Sequence, residues 1–334
     1  MTEKRLADKR ILMFSPAFFH YEDLIAEKMR ELGAEVDFFD ERSVTSSFSR
    51  GLVHITPAVF RAHTHKYYDS ILNRVRSRNY DYILFVKCDM ADEKVLKSFR
   101  RTFPKARMIL LLWDSMRMID GIEEKFRYFD RLLSFDRNDC MAHPELIFRP
   151  NFYTDDCDDI SEKEVYDWSF CGTIHSDRLN VIRQIRAISQ QRGYTYDLYP
   201  YLQSRQVYWL YRMTRKEFLN TTPEDFIYEK LTFDDSVKEM AKSRVIVDIE
   251  HPDQSGLTTR TLITVAMGKK LITTNEDTVN YDFYDPDMIW IIDRNNVEIP
   301  EEFMNKPNKK PSAEFYEKYS LRRWVLDVLG EEEE

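Results

Sequence analysis

The amino-acid sequence predicts an α/β protein built from two doubly wound, parallel-sheet domains. Three observations lead there. The chain has 334 residues, 43% of them hydrophobic, enough for two cores at roughly 100–200 residues per domain. Short apolar runs alternate with helical patterns, as in parallel sheets covered by helices on both faces. The alternation pauses in Thr154 to Glu164, where Asp155, Asp156, Asp158 and Asp159 suit a solvated linker.

The elements follow in order. Arg10 to Ser15 reads as a buried strand, Tyr21 to Leu32 as a helix stopped by Gly33, and Glu35 to Phe39 as a second strand. The same unit repeats: strand Tyr82 to Val86, helix Asp92 to Phe103, and strands Met108 to Trp113 and Arg131 to Phe135. After the linker, Trp168 to Gly172 is a strand, Asp177 to Gln191 a helix, and Tyr194 to Tyr199 the next strand. Strands Arg244 to Asp248 and Lys270 to Thr273 flank a helix over Thr258 to Met267 closed by Gly268, with Met288 to Ile292 as a later strand. Ala313 to Leu329 reads as one amphipathic helix, with Leu321, Trp324, Val325 and Val328 on a single face. No short-period repeat interrupts this plan.

Composition excludes several classes. No run of about 18 apolar residues could span a bilayer and no secretory leader opens the chain, so a cytoplasmic location is expected. Cys88, Cys140, Cys157 and Cys171 lack disulfide or zinc spacing, which predicts reduced thiols. The net charge of -9 divides into +3 for residues 1–154 and -12 for the remainder. That argues against nucleic acid, which needs a broad basic face, while leaving one half compatible with an anionic acceptor or membrane surface. No GxGxxG follows Ser15 and no GxxxxGK[ST] occurs, which disfavours dinucleotide and P-loop enzymes.

The most informative segment runs from Asp248 to Asn275. In an open parallel sheet the ligand lies beyond the carboxyl ends of the strands, so the loop after Asp248 and the tip Thr274-Asn275 point to one crevice. Ser255, Gly256, Leu257 and Thr258 would offer backbone N–H groups to a diphosphate at a helix N-terminus, and Arg260 would add a fixed charge. The plainer reading is a β-loop-α connection with a capping hydroxyl. Gly172, His175 and Arg178 follow the first strand of the second half and reach the same crevice, where arginines would neutralise a departing diphosphate. Otherwise Arg178 is a solvated first-turn residue and His175 a polar cap.

Gln254 to Thr261, Gly268 to Asn275 and Tyr281 to Tyr284 together resemble the carboxyl-domain signature of CgeB-like bacterial glycosyltransferases of polysaccharide and lipopolysaccharide biosynthesis. Trp113-Asp-Ser115 and Ser134-Phe-Asp136 resemble the same family, and the similarity runs from about Arg10 to Leu329. The resemblance implies a GT-B fold: two Rossmann-like domains facing a central cleft, with a nucleotide-sugar donor held by the second and the acceptor by the first. Residues 1–152 would form the acceptor-side domain, 153–166 the linker and 167–312 the donor domain, with a 313–330 helix packing back toward the first. It also implies no obligatory metal or cofactor, a UDP-sugar as the favoured donor, and a saccharide or lipid-linked acceptor. One position departs: related enzymes often place Glu five residues before the glycine at Gly268, to hold the donor ribose, and this chain has Ile263. An aliphatic side chain cannot accept those bonds. The ribose then falls to Thr259, Thr264 or backbone, or the donor is unusual, or the chain is a silent sugar-binding or assembly partner.

For a base that takes the acceptor proton, Asp114 and Asp89 each sit just past a buried strand, and His20 lies beyond the first strand. Asp at such a position equally serves as a helix cap. Two DxD triplets, Asp156-Cys-Asp158 and Asp285-Pro-Asp287, fall in the linker and in a proline turn and are discounted as metal ligands. Arg61 to Lys66 with Arg74, Arg76 and Arg78 is basic, and Val207 to Tyr211 with Arg205, Arg212, Arg215 and Lys216 is aromatic and basic. Such mixtures suit a peripheral membrane contact or a glycan platform, or simply a solvated helix face.

Overall fold

A computed structural model describes residues 4–17, 20–42, 57–154, 157, 160 and 162–331. The chain divides into two compact units, Met1–Pro150 with Arg322–Glu334, and Asn151–Leu321.

In unit 1 the order is β1 (Arg10–Ser15), α1 (Tyr21–Glu31), β2 (Glu35–Asp40), α2 (Pro57–Val75), β3 (Tyr82–Val86), α3 (Glu93–Thr102), β4 (Arg107–Leu112), β5 (Arg131–Ser134), α4 (Arg137–Ala142) and β6 (Ile147–Phe148). The six strands pair in the order β2-β1-β3-β4-β5-β6, all parallel. Ile11 to Phe14, Ile83 to Val86 and Met108 to Leu112 are fully buried, which is why these central strands read as unbroken apolar runs. Phe14 anchors the core, its ring 4.7 Å from Phe85 and 5.2 Å from Phe99. The order reverses between β1 and β3, so their carboxyl ends frame a switch-point crevice.

Unit 2 runs β7 (Tyr166–Thr173), α5 (Arg178–Arg192), β8 (Tyr196–Tyr201), α6 (Arg205–Thr214), α7 (Phe233–Ala241), β9 (Ser243–Asp248), α8 (Thr259–Ala266), β10 (Lys270–Thr273), β11 (Ile289–Ile291), α9 (Glu301–Asn305) and α10 (Ala313–Tyr319). Its five parallel strands lie in the order β11-β10-β9-β7-β8, which reverses between β7 and β9. Trp168, Phe170, Val245, Val247 and Ile272 form the centre of its core.

The final helix is corrected by the structure. α10 ends at Tyr319 and a separate helix, α11 (Leu321–Leu329), begins after Ser320, whose backbone is extended at ψ 150. The cause is a strand-like pairing: Tyr153 N donates to Tyr319 O at 3.0 Å and Leu321 N to Tyr153 O at 3.1 Å, which pulls Ser320 out of helical geometry. Trp324, Val325, Leu326, Val328 and Leu329 are fully buried in unit 1, with the Trp324 ring 6.2 Å from Trp113. β8 begins two residues later than its predicted start. Among the described residues no helix is long and apolar enough to cross a membrane.

Candidate functional site

Both loops singled out from the sequence meet at the unit 2 switch point. The β7 loop supplies Gly172, His175 and Arg178; the β9 loop supplies His251 to Thr258. Their imidazoles approach each other, His175 and His251 having ring centroids 5.5 Å apart.

The centre of the site is a residue the sequence reading passed over. Asp248 ends β9 with a side chain only 2% exposed, and its Oδ1 accepts from Arg260 Nη1 at 2.7 Å. Oδ2 accepts from the hydroxyls of Thr258 and Thr261, at 2.5 and 2.8 Å. Burial pushes this carboxyl up, but Arg260, Thr258, Arg178 and Thr261 outweigh it and hold it below the ordinary carboxylate range. Thr258 also caps α8, accepting from Thr261 N at 3.2 Å, so the plain capping reading holds for that hydroxyl.

Gly172 has a steric reason. A Cβ there would stand 2.9 Å from Arg260 Nη2 and 3.3 Å from the Phe170 ring, so a side chain at this position would make the guanidinium shift from its place across β7. Arg178 is not a solvated first-turn residue: it is buried, donating from Nε to Ile249 O at 2.5 Å and from Nη1 to Thr173 O at 2.8 Å. It staples the two loops, and burial lowers its pKa to about 10, with Arg260 adding repulsion. His175 bonds Ser176 Oγ at 2.8 Å rather than capping α5; burial, then Arg178, His251, Arg215 and Arg260, push it down to about 3. It is therefore a neutral imidazole at physiological pH.

A second polar cluster lies alongside. Glu250 accepts from Thr274 Oγ1 at 2.6 Å and pairs with Arg294, whose Nη1 bonds Asp177 at 2.8 Å. Asn275 donates from Nδ2 to Ser255 O at 3.0 Å, tying the glycine loop to the β10 tip. Gly256 and Leu257 are buried, and Leu257 O accepts from Asn151 Nδ2 at 2.9 Å. Arg178, Arg260 and Arg294 are thus set against Asp248, Glu250 and Asp177, so the crevice is a balanced charge network, not an open cationic bowl. Of the residues weighed for the ribose, Thr264 is fully buried, like Ile263, and Thr264 Oγ1 has no hydrogen-bond partner among the described residues. Thr259 is buried as well.

In unit 1 the predicted base candidates divide. Asp114 and Asp89 come together through Lys87, whose Nζ lies 2.7 Å from Asp114 Oδ2 and 3.6 Å from Asp89 Oδ2. Burial lowers the Lys87 pKa, but Asp114, Asp89 and Glu41 outweigh it and raise it. His20 is exposed, in left-handed conformation at φ 63, with Nδ1 3.0 Å from Asp23 Oδ2. Among the described residues, His20, Glu22 and Asp23 hold metal-ligating atoms within 4.8 Å of one another. Behind these residues sits Glu41, which the sequence did not announce. Fully buried, it accepts from the backbone N–H groups of Cys88, Asp89 and Met90 at 2.9, 2.5 and 2.9 Å. Lys87 and Cys88 are both left-handed, at φ 76 and 58, which turns the three amides onto one carboxylate. Burial pushes the Glu41 carboxyl up to about 7 against the pull of those amides.

Asp285 and Asp287 are held by Lys309 and Lys306 respectively, whereas Asp156 and Asp158 lie outside the described residues. No disulfide joins any of the four cysteines. The basic residues from Arg61 to Arg74 lie along α2, and Arg78 pairs with Asp37 at 2.6 Å.

No protein-family model and no curated protein sequence matches the chain. Among solved structures it is similar to a glycosyltransferase from Rickettsia africae ESF-5, with TM-score 0.55 and 12% identity over 97% of this chain and 98% of that one. It is also similar to the N-terminal domain of trehalose-6-phosphate phosphatase from Candida albicans, with TM-score 0.57 and 11% identity over 97% of each chain. At that identity the likeness is one of fold: two parallel-sheet α/β units of the GT-B kind, matched along nearly the whole chain.

Proposed function

We propose that the chain is a glycosyltransferase that holds a nucleotide-activated sugar at the β7/β9 switch point of unit 2 and an acceptor saccharide or lipid-linked saccharide on unit 1. The resemblance to CgeB-like enzymes gives its pathway as bacterial surface polysaccharide or lipopolysaccharide synthesis on the cytoplasmic face, with a hexosyl donor, UDP-linked, and no required metal. The observation that carries the reading is the convergence of Arg260, Arg178 and the neutral His175 at that switch point beside the amino terminus of α8. An arriving diphosphate competes with Asp248 for Arg260, and the guanidinium then offsets charge as it builds on the leaving group. A neutral imidazole donates or accepts a hydrogen bond there without adding charge. In unit 1, Lys87 Nζ, 2.7 Å from Asp114 Oδ2, orients that carboxylate, as a positioned proton acceptor requires.

A second reading is a silent sugar-binding or assembly partner. It is favoured by the 2.7 Å Lys87–Asp114 pair, which occupies the carboxylate an acceptor hydroxyl would have to reach, and by the buried Ile263. Calorimetry with a panel of nucleoside diphosphate sugars, followed by release of nucleoside diphosphate, separates the two. Binding with turnover supports the transferase, binding without turnover on any saccharide acceptor supports the partner, and no binding across the panel sinks both.

A further inference from the structure

α6 is apolar on its outer face as well as its inner one. Its inner face packs Tyr208 and Tyr211 on Phe218 and Phe226, at ring separations of 5.2–6.3 Å. Its outer face should then be polar, yet it carries Trp209, Leu210 and Met213, 54, 52 and 77% exposed, followed in the next turn by Leu219 at 54%. Among the described residues nine large apolar side chains stand exposed, and these four fall within eleven positions, which makes a patch rather than scatter.

The charge around the patch is also local. Arg205, Arg212, Arg215 and Lys216 surround it, with Glu217 as the single acid from Arg205 to Leu219, in a chain of net charge -9. The arginines are braced as well as charged. Arg215 lies 3.8 Å over the Tyr211 ring, Arg212 Nη1 donates to Phe218 O at 2.8 Å, and Arg205 stands 3.7 Å from Glu224. Leu219 and Met213 are thereby presented beside fixed cations.

We propose that this face of α6 and the turn after it binds an anionic phospholipid surface, with Trp209, Leu210, Met213 and Leu219 entering the headgroup boundary and the basic residues meeting lipid phosphates. An amphipathic tryptophan, flexible aliphatic chains and flanking arginine and lysine are the chemistry of an interfacial helix. A second copy is the poorer occupant, because a twofold contact would set each basic rim against its own image. The surface does not depend on the sugar chemistry and would serve the same purpose in a protein that transfers nothing.

The full chain is sedimented with vesicles of phosphatidylcholine, and with phosphatidylcholine vesicles containing about a third phosphatidylglycerol. The expected result is partition into the anionic vesicles only, weakened in about 1 M salt, where screening shortens the reach of charge to about 3 Å. Trp209→Ser with Met213→Ser should lower partition at least about tenfold with an unchanged circular dichroism spectrum, since both side chains point outward. Arg205→Gln with Lys216→Gln should reduce the preference for phosphatidylglycerol. Absence of partition, or partition that Trp209→Ser/Met213→Ser leaves untouched, overturns the proposal. So does a concentration-dependent dimer that Met213→Asp abolishes, which would give the face to a second copy. Nucleotide-sugar calorimetry on the same variants should match the unmodified chain, so a failure here is separable from failure of the donor assignment.

Discussion

Removing Arg260 should cost unit 2 folding stability as well as ligand affinity. The side chain of Asp248 is 2% exposed and that of Arg260 21%, with 2.7 Å between them. Arg260→Ala leaves a buried carboxylate with two hydroxyl donors and the charge of Arg178, but without its bonded guanidinium. Breaking such a pair costs about 3–5 kcal/mol, and the partial exposure of Arg260 argues for the lower end, about 3 kcal/mol, a more than hundredfold shift in the opening equilibrium. Asp248→Asn alone should cost less, about 1–2 kcal/mol, because an amide keeps one acceptor for the threonine hydroxyls. The double variant Arg260→Ala/Asp248→Asn should be more stable than Arg260→Ala, since the stranded charge is gone. Asp248 sits below its ordinary pKa, so it contributes stability above about pH 4 that is lost as pH falls through its folded value. Removing Arg260 raises that value, so the deficit of Arg260→Ala should shrink in acid. Amide hydrogen exchange of Val245, Ile246 and Val247 reads the opening of unit 2 alone, which matters because two compact units need not unfold as one transition. An Arg260→Ala penalty below about 1 kcal/mol, or a double variant whose penalty is the sum of the singles, would refute the pair as the hub of the site.

Three further outcomes are expected. Gly172→Ala should displace the Arg260 guanidinium, which a Cβ would approach to 2.9 Å, costing about 1–3 kcal/mol and weakening nucleotide binding; unchanged melting and binding would show that the arginine has room to spare. Glu41 has a raised carboxyl pKa of about 7, so its stabilising share is complete below about pH 4.5 and is lost as pH rises through 7. That change is on the order of 3 kcal/mol for unit 1; Glu41→Gln should flatten this part of the stability–pH curve, and parallel curves would disprove it. Transfer should survive EDTA, with the arginines handling the leaving charge; complete loss restored by manganese would instead direct attention to His20, Glu22 and Asp23.

The fold was legible because buried parallel strands must be apolar on both faces. β1, β3 and β10 match their predicted spans residue for residue. Helices were legible where a cap marks them, as Asp92 marks α3 by accepting from Val95 N at 3.2 Å. α2 was missed although Thr56-Pro57 at its start is a readable signal: Arg61, His63 and Lys66 read as a basic stretch, and packing of Tyr68 and Ile71 gives the helix its buried face. The break at Ser320 was invisible because its cause, the Tyr153 backbone, lies far away in sequence. That the loops after β7 and β9 meet at one switch point was legible, since strand ends determine crevices, but their electrostatics were misjudged. Asp248 was read as the end of a strand, although an Asp followed by Thr258, Arg260 and Thr261 at the next helix start is itself a readable signal for an internal counter-ion. Glu41 left no comparable trace, because its partners are backbone amides, which carry no side-chain signature.

The route of the chain through unit 1 has a consequence for biosynthesis. Residues 322–331 belong to the first unit, and through Trp324, Val325, Leu326, Val328 and Leu329 they supply part of its interior, yet they leave the ribosome after all of unit 2. Unit 2 is contiguous and can collapse as soon as it emerges. Unit 1 must wait, its half-made core open beside β4 and β5, until Arg107 and Arg131 receive the carbonyls of Leu329 and Asp327. The part of the protein made first is finished last, so nascent chains stalled before Arg322 are the species that chaperones should find most exposed.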